Sequence, residues 1–120
     1  MSSKDFPIPI YHNPACGTSR NVVALVEAAG HKPKIIEYLK AGWTAEQLRD
    51  LSRLTGLTLR QLMREKGSPA QDLGLLEDGV SDEAILAAML AHPILVNRPI
   101  VVTPKGAALC RPSETVSSLV

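Results

Sequence analysis

The sequence predicts an α/β domain organised around a four-stranded mixed sheet, and three changes of hydrophobic period carry that prediction. A short apolar strand, a helix and a second strand open the chain; a stretch with helical spacing and capping chemistry fills the middle; two strands and a short helix close it. The order β-α-β, helical middle, β-β-α fits one domain over residues 1–120, with the helical middle as an insertion at about 43–93.

Ile8, Ile10 and Tyr11 supply the first strand, and Asn13-Pro14 is a turn signal. Val22, Val23, Leu25 and Val26 give the next helix its apolar face, and Gly30 stops it. Lys34 to Tyr38 has the β-branched and aromatic content of a second strand. A strand-helix-strand unit favours parallel strands with a right-handed crossover, which sets the end of the first strand in a crevice at the sheet edge. Three helix starts then follow from capping chemistry. Thr44 with Gln47 forms a capping box, with Trp43 and Leu48 as hydrophobic staple; Thr58 with Gln61, flanked by Leu57 and Leu62, repeats it. Ser81 caps the third, with Asp82 and Glu83 in the first turn and Val80 with Ile85 as staple. Ile85, Leu86, Met89 and Leu90 share one face of that helix until His92-Pro93 ends it. Gly67 to Gly79 reads as loop with one helical turn at Gln71 to Leu73. Ile100 to Thr103 and Ala107 to Arg111, joined by Pro104-Lys105-Gly106, read as an antiparallel hairpin, and Ser113 with Glu114 opens a short closing helix.

Thirteen basic residues against twelve acidic leave a net charge of +1. There is no global basic field, so neither nucleic acid nor a membrane surface is expected as a partner, and any anion site must be local. No apolar run approaches the roughly 20 residues a bilayer requires, and Met1 to Pro7 lacks the apolar core of a signal peptide, so a cytoplasmic protein is expected. Cys16 and Cys110 lie far apart and make neither a disulfide framework nor a Cys-x-x-Cys pair. No metal site is expected; a free reactive thiol is.

Cys16 falls at the start of the first helix, where unpaired backbone N–H groups and the helix dipole favour both a thiolate and a bound oxyanion. Composition alone equally allows a buried, inert cysteine. The flanking Gly17-Thr18-Ser19-Arg20-Asn21 is a run of small, hydroxyl and donor side chains better suited to anion binding than to packing, which makes Gly17, Thr18 and Ser19 candidate substrate-binding residues. His12 stands four positions before Cys16, as a source of positive charge or as a solvated loop residue. Three arginines complete the candidates. Arg98 and Arg111 each precede a proline at a strand end, which fixes where the guanidinium leaves the sheet, and structural and functional readings of them weigh equally. For Arg64 a solvated helix end is the stronger reading.

Four segments, Ile10 to Asn21, Leu62-Met63-Arg64, His92 to Pro104 and Leu109 to Glu114, resemble the glutaredoxin-coupled arsenate reductase family, the ArsC family, across nearly the whole chain. The resemblance implies a thioredoxin-like fold with a helical insertion and a cis Arg98-Pro99 bond. It implies that Cys16 attacks arsenate, that Arg64, Arg98 and Arg111 bind the oxyanion and its thiol adducts, and that His12 helps keep the thiol ionised. Glutathione is then a co-substrate, glutaredoxin a partner, and no bound cofactor is expected of this monomer. Ser19 three positions after Cys16 counts against the related stress regulators, which use Cys-x-x-Cys. A non-catalytic thiol sensor or partner-binding protein on the same fold is the alternative reading. Cys110, in a strand beside Arg111, is expected to point away from Cys16, so that an outside thiol must resolve the adduct.

Overall fold

A computed structural model of the chain describes residues 7–66, 68–103, 106–111 and 113–119. Contacts group the chain into two units, one of Met1–Ala41 with Arg98–Val120 and the other Gly42–Asn97.

The first unit holds the sheet. Strands β1 (Pro7–His12), β2 (Lys32–Glu37), β3 (Ile100–Thr103) and β4 (Gly106–Leu109) lie in the order β2-β1-β3-β4. β1 runs parallel to β2, while β3 is antiparallel to both β1 and β4, which makes the sheet mixed as expected. Helix α1 (Gly17–Ala28) provides the crossover from β1 to β2. It ends in a Schellman motif, with Gly30 N–H on Glu27 O at 3.0 Å and His31 N–H on Val26 O at 3.2 Å. Gly30 takes φ of 89° there, a conformation glycine adopts without steric cost. Ile8, Ile10 and Val101 from the sheet, Val22 and Val26 from α1, Cys110 and Val116 form one buried cluster. Val116 belongs to the closing element, which is a 3-10 helix over Ser113–Ser118.

Local chemistry moves several expected boundaries. β2 begins at Lys32 and includes Pro33, which an edge strand tolerates because one side of its backbone needs no partner. Tyr38, expected to end that strand, instead opens a one-turn helix α2 (Tyr38–Ala41), too short to show a period, and its side chain is fully buried. β1 is an interior strand, so the turn that carries Cys16 follows the centre of the sheet rather than its edge. β4 stops at Leu109, two residues before the expected end. The Pro104-Lys105 part of the hairpin turn, and Pro112, lie outside the described residues.

The second unit is helical: α3 (Ala45–Thr55), α4 (Leu59–Leu62) and α5 (Asp82–Ala91). Both capping boxes form, Thr44 with Gln47 and Thr58 with Gln61, and Ser81 Oγ accepts the Ala84 N–H at 3.1 Å. Leu48, Leu51, Leu62, Ile85 and Met89 are buried, whereas Leu90, expected on the buried face of α5, is 39% exposed. Ile85, Leu86 and Met89 already span that face, and Leu90 is turned about 100° beyond Met89. The single turn expected near residues 71–73 is present: Leu73 N–H bonds Pro69 O at 3.0 Å, and Gly74 and Leu75 close it in a second Schellman pattern. Pro93–Leu95 forms a 3-10 helix before the return to the sheet. No helix among the described residues is long and apolar enough to cross a membrane.

Candidate active site

The turn from β1 to α1 is held by its own polar groups. Asn13 Oδ1 accepts the Ala15 N–H at 3.0 Å, an Asx turn, and Asn13 O accepts the Cys16 N–H at 3.0 Å. Cys16 thereby becomes the N-cap residue of α1, extended at φ −95° and ψ 121°, with its carbonyl accepting from Arg20 N–H at 3.1 Å. An oxygen side chain normally fills that position and caps the first turn. Here a sulfur takes its place without a side-chain capping bond, and the first turn carries no acidic residue. The positive end of the helix is left to an anion.

Ser19 shares the buried face of α1 with Val22 and Val26, so its hydroxyl needs a protein partner. It finds two. Ser19 Oγ lies 3.0 Å from His12 Nδ1 and accepts the Asn13 N–H at 3.2 Å, which ties the end of β1 to the first turn of α1. His12 is 8% exposed and Asn13 5%. Burial holds the His12 pKa below the ordinary 6.5; Glu37 pulls it up and Arg20 pushes it down again. Burial thus works against a charged imidazole beside the thiol. Its structural connection to Cys16 runs through Ser19.

Hairpin register brings two arginines to the sulfur. Ile100 stands opposite Leu109 at the end of the β3–β4 ladder, and Arg98 and Arg111 lie two residues beyond that pair on their own strands. Cys110 N–H donates to Pro99 O at 2.9 Å, after which Arg111 N–H turns back to Leu109 O at 3.0 Å, so the chain bends where the strand was expected to continue. Arg111 Nη1 donates to Arg98 O at 2.8 Å and lies 3.6 Å from Cys16 Sγ. Arg98 is 6% exposed, its guanidinium also on the thiol, and the Arg98-Pro99 bond is cis. Burial pushes the Cys16 pKa up, but the Ser19 backbone N–H, Arg111 and Arg98 outweigh it and bring it from 9.0 down to about 7. Cys110 has the opposite surroundings. It is wholly buried in the core cluster, its Sγ is 3.6 Å from Ala108 O, and burial pushes its pKa up to about 11.

Cys16, His12, Ser19, Arg98 and Arg111 are thus gathered in one place, with Gly17 and Thr18 in the same first turn of α1. Arg64 belongs to the other unit. There Nη1 donates to Asn97 Oδ1 at 3.3 Å, the backbone N–H bonds Leu95 O at 2.6 Å, the carbonyl accepts from Ser68 Oγ, and Met63 bridges Val96 alongside. It is a half-buried, anchored side chain rather than a solvated helix end. Asn13 and the hydroxyl of Ser19 as a partner for His12 were not foreseen. A legible signal existed for Ser19, which sits three and seven residues before Val22 and Val26, on their stripe.

Residues 11–119 match the ArsC family. An arsenate reductase from Synechocystis sp., ArsI2, is 60% identical over 112 residues, 93% of this chain and 80% of that protein. The arsenate reductase of Escherichia coli strain K12 is 50% identical over 109 residues, 91% of this chain and 77% of its own length. The solved structure of an arsenate reductase from Vibrio cholerae superposes with a TM-score of 0.89 at 40% identity, covering 95% of this chain and 98% of that one. The capping cysteine and the paired arginines fall within the matched range, and the chain belongs to the ArsC family.

Proposed function

We propose that this protein is an arsenate reductase with Cys16 as its nucleophile. The observation that carries the reading is a thiol at a helix N-cap, ionising near 7, with Arg111 Nη1 at 3.6 Å from its sulfur. A tetrahedral oxyanion at that point meets the N–H groups of Gly17, Thr18 and Ser19 and the planar forks of Arg98 and Arg111. Arg64, whose Nη1 donates to Asn97 Oδ1 at 3.3 Å, is the third arginine that the family resemblance assigns to the oxyanion. His12 serves the thiol indirectly, by holding Ser19 and with it the first turn. The relatives named arsenate reductases support the same substrate.

The thiolate attacks arsenic, an arsenate oxygen leaves as water, and a Cys–S–As(V) adduct forms. Glutathione attacks the adduct, and glutaredoxin reduces the mixed species that results, releasing arsenite and restoring the thiol. Over the cycle arsenic gains two electrons, two thiols become one disulfide, and one oxygen departs as water. The protein acts as a monomer, glutathione is consumed as co-substrate, and no resident cofactor takes part. Phosphate has the shape and charge to fill the site but accepts no electrons, so it competes. The test follows NADPH consumption with arsenate, glutathione, glutaredoxin and glutathione reductase. Turnover that needs all four supports the reading; a folded protein that consumes no NADPH above the Cys16→Ser background overturns it.

A further inference from the structure

Arg20 is the charged side chain of the thiol-bearing turn that this chemistry leaves unused. It is the fourth residue of α1, and its side chain folds back over the helix start. Nη1 donates to Pro14 O at 3.3 Å, and Nη2 lies 3.8 Å from where a Cβ on Gly17 would stand. A cation there opposes the helix dipole, which is why acidic residues normally occupy first turns. The first turn has no acid, and the ion pairs among the described residues, Lys40–Glu37 and Arg53–Asp50, do not include Arg20. An exposed guanidinium held at a positive helix end without a carboxylate partner is arranged for a transient anion.

That anion differs from the one bonded to sulfur. Ser19, Arg111 and Arg98 act on the Cys16 thiol, whereas the charge of Arg20 is felt at His12. Pro14, Ala15, Gly17 and Arg20 are all exposed and stand within four residues of half-buried Cys16, an exposed lip beside the thiol. A thiol that brings its sulfur to an adduct on Cys16 leaves the rest of itself over this lip, where the Arg20 fork matches a carboxylate. We infer that Arg20 recognises a carboxylate on the thiol reductant, so that anionic thiols resolve Cys16 in preference to neutral ones. The inference rests on Cys16 being the reacting thiol and deepens the proposed function by assigning the reductant's binding residue.

The test needs no arsenate. Cys16 is converted with dithiodipyridine to its mixed disulfide with thiopyridine, a neutral group, and mass spectrometry checks for a single label, Cys110 being buried. An added thiolate forms a bond to Cys16 Sγ while the S–S bond to thiopyridine breaks, the electron pair leaving with the thiopyridine, whose release is read by absorbance. Mercaptoacetate and mercaptoethanol, similar in size and different in charge, are compared at low salt. Their rate ratio should fall roughly fivefold in Arg20→Gln, the upper range for an exposed charge pair, and further in Arg20→Glu. Glu complements the helix dipole at this position, so the second variant keeps its fold. An unchanged ratio in both variants overturns the inference. So does a rise in the arsenate KM of Arg20→Gln with the ratio intact, which would assign Arg20 to the oxyanion. An Arg20-dependent ratio in a protein inert toward arsenate would leave this inference standing and remove the reductase reading.

Discussion

Cys16 ionises near pH 7 and Cys110 near 11 because one sits at a helix start under Arg111 and Arg98 while the other lies among Ile10, Val22 and Val26 with nothing to favour its charge. Alkylation by iodoacetamide should therefore label Cys16 alone, with a midpoint near 7, and arsenate or sulfate should slow it. A profile centred near 9.0 and indifferent to oxyanions would remove the basis for an activated nucleophile. Cys16→Ser should abolish turnover. Cys110→Ser should keep most of it while losing about 1–3 kcal/mol of stability, since a hydroxyl replaces a thiol in the core. Equal loss of activity in both folded variants would show the assignment to be wrong. Arg98→Lys and Arg111→Lys retain the charge and lose the fork, so each should cut kcat/KM roughly tenfold or more. Near wild-type kinetics in the double variant would reduce both residues to sources of long-range charge.

Elements, not single residues, aim these groups. The first turn of α1 is positioned by the end of β1, and Ser19 Oγ, with His12 Nδ1 on one side and Asn13 N–H on the other, is the tie between them. Ser19→Ala leaves both partners buried and unpaired, at a cost of about 1–3 kcal/mol. Its loss should also loosen the N–H geometry around the sulfur and move the iodoacetamide midpoint upward; a midpoint that stays put would mean that the turn holds itself without the hydroxyl. In the helical unit the capping boxes are separable from the chemistry. Thr44→Ala removes the acceptor for Gln47 N–H, 3.1 Å away, and should lower stability by about 1 kcal/mol in urea unfolding.

For the molecule as a whole, cysteine placement decides where electrons come from. A reductase that forms an internal disulfide needs a second thiol within about 7 Å, Cα to Cα, and able to turn toward the first. Cys110 is the only other cysteine, and it is wholly buried in the apolar cluster. Multiple turnover is therefore expected with glutathione and glutaredoxin and little with thioredoxin and its reductase. Efficient thioredoxin-driven turnover that vanishes in Cys110→Ser would contradict this. Stability against pH follows from the same groups. The Cys16 pKa is lowered on folding, so its contribution is complete above 9.0 and is lost as pH falls through about 7. The His12 pKa is also lowered, so the unfolded chain binds its proton first and stability drops further below 6.5. Cys110 works the other way: its raised pKa means that stability is lost as pH climbs from 9.0 toward about 11. His12→Asn should flatten the acid limb in thermal melts taken across this range.

Thr44, Thr58 and Ser81 cap the helices that their sequence signatures announced, because a cap is a bond between neighbours three residues apart and needs no tertiary partner. The β1-to-α1 turn and the placement of Cys16 were legible for the same local reason, from Asn13-Pro14 and the change of hydrophobic period, and the mixed sheet followed from the connections between its strands. What the sequence left open depends on pairing across long gaps. Arg98 and Arg111 were ambiguous until the pairing of β3 with β4 brought them together, Arg111 Nη1 on Arg98 O and beside the sulfur. Tyr38 passed for strand because its burial, which draws it into α2, carries no local mark. His12 stood open between a source of positive charge and a solvated loop residue because desolvation is a property of the folded surroundings; burial lowers its pKa, and the contact with Ser19 makes it a tie within the site.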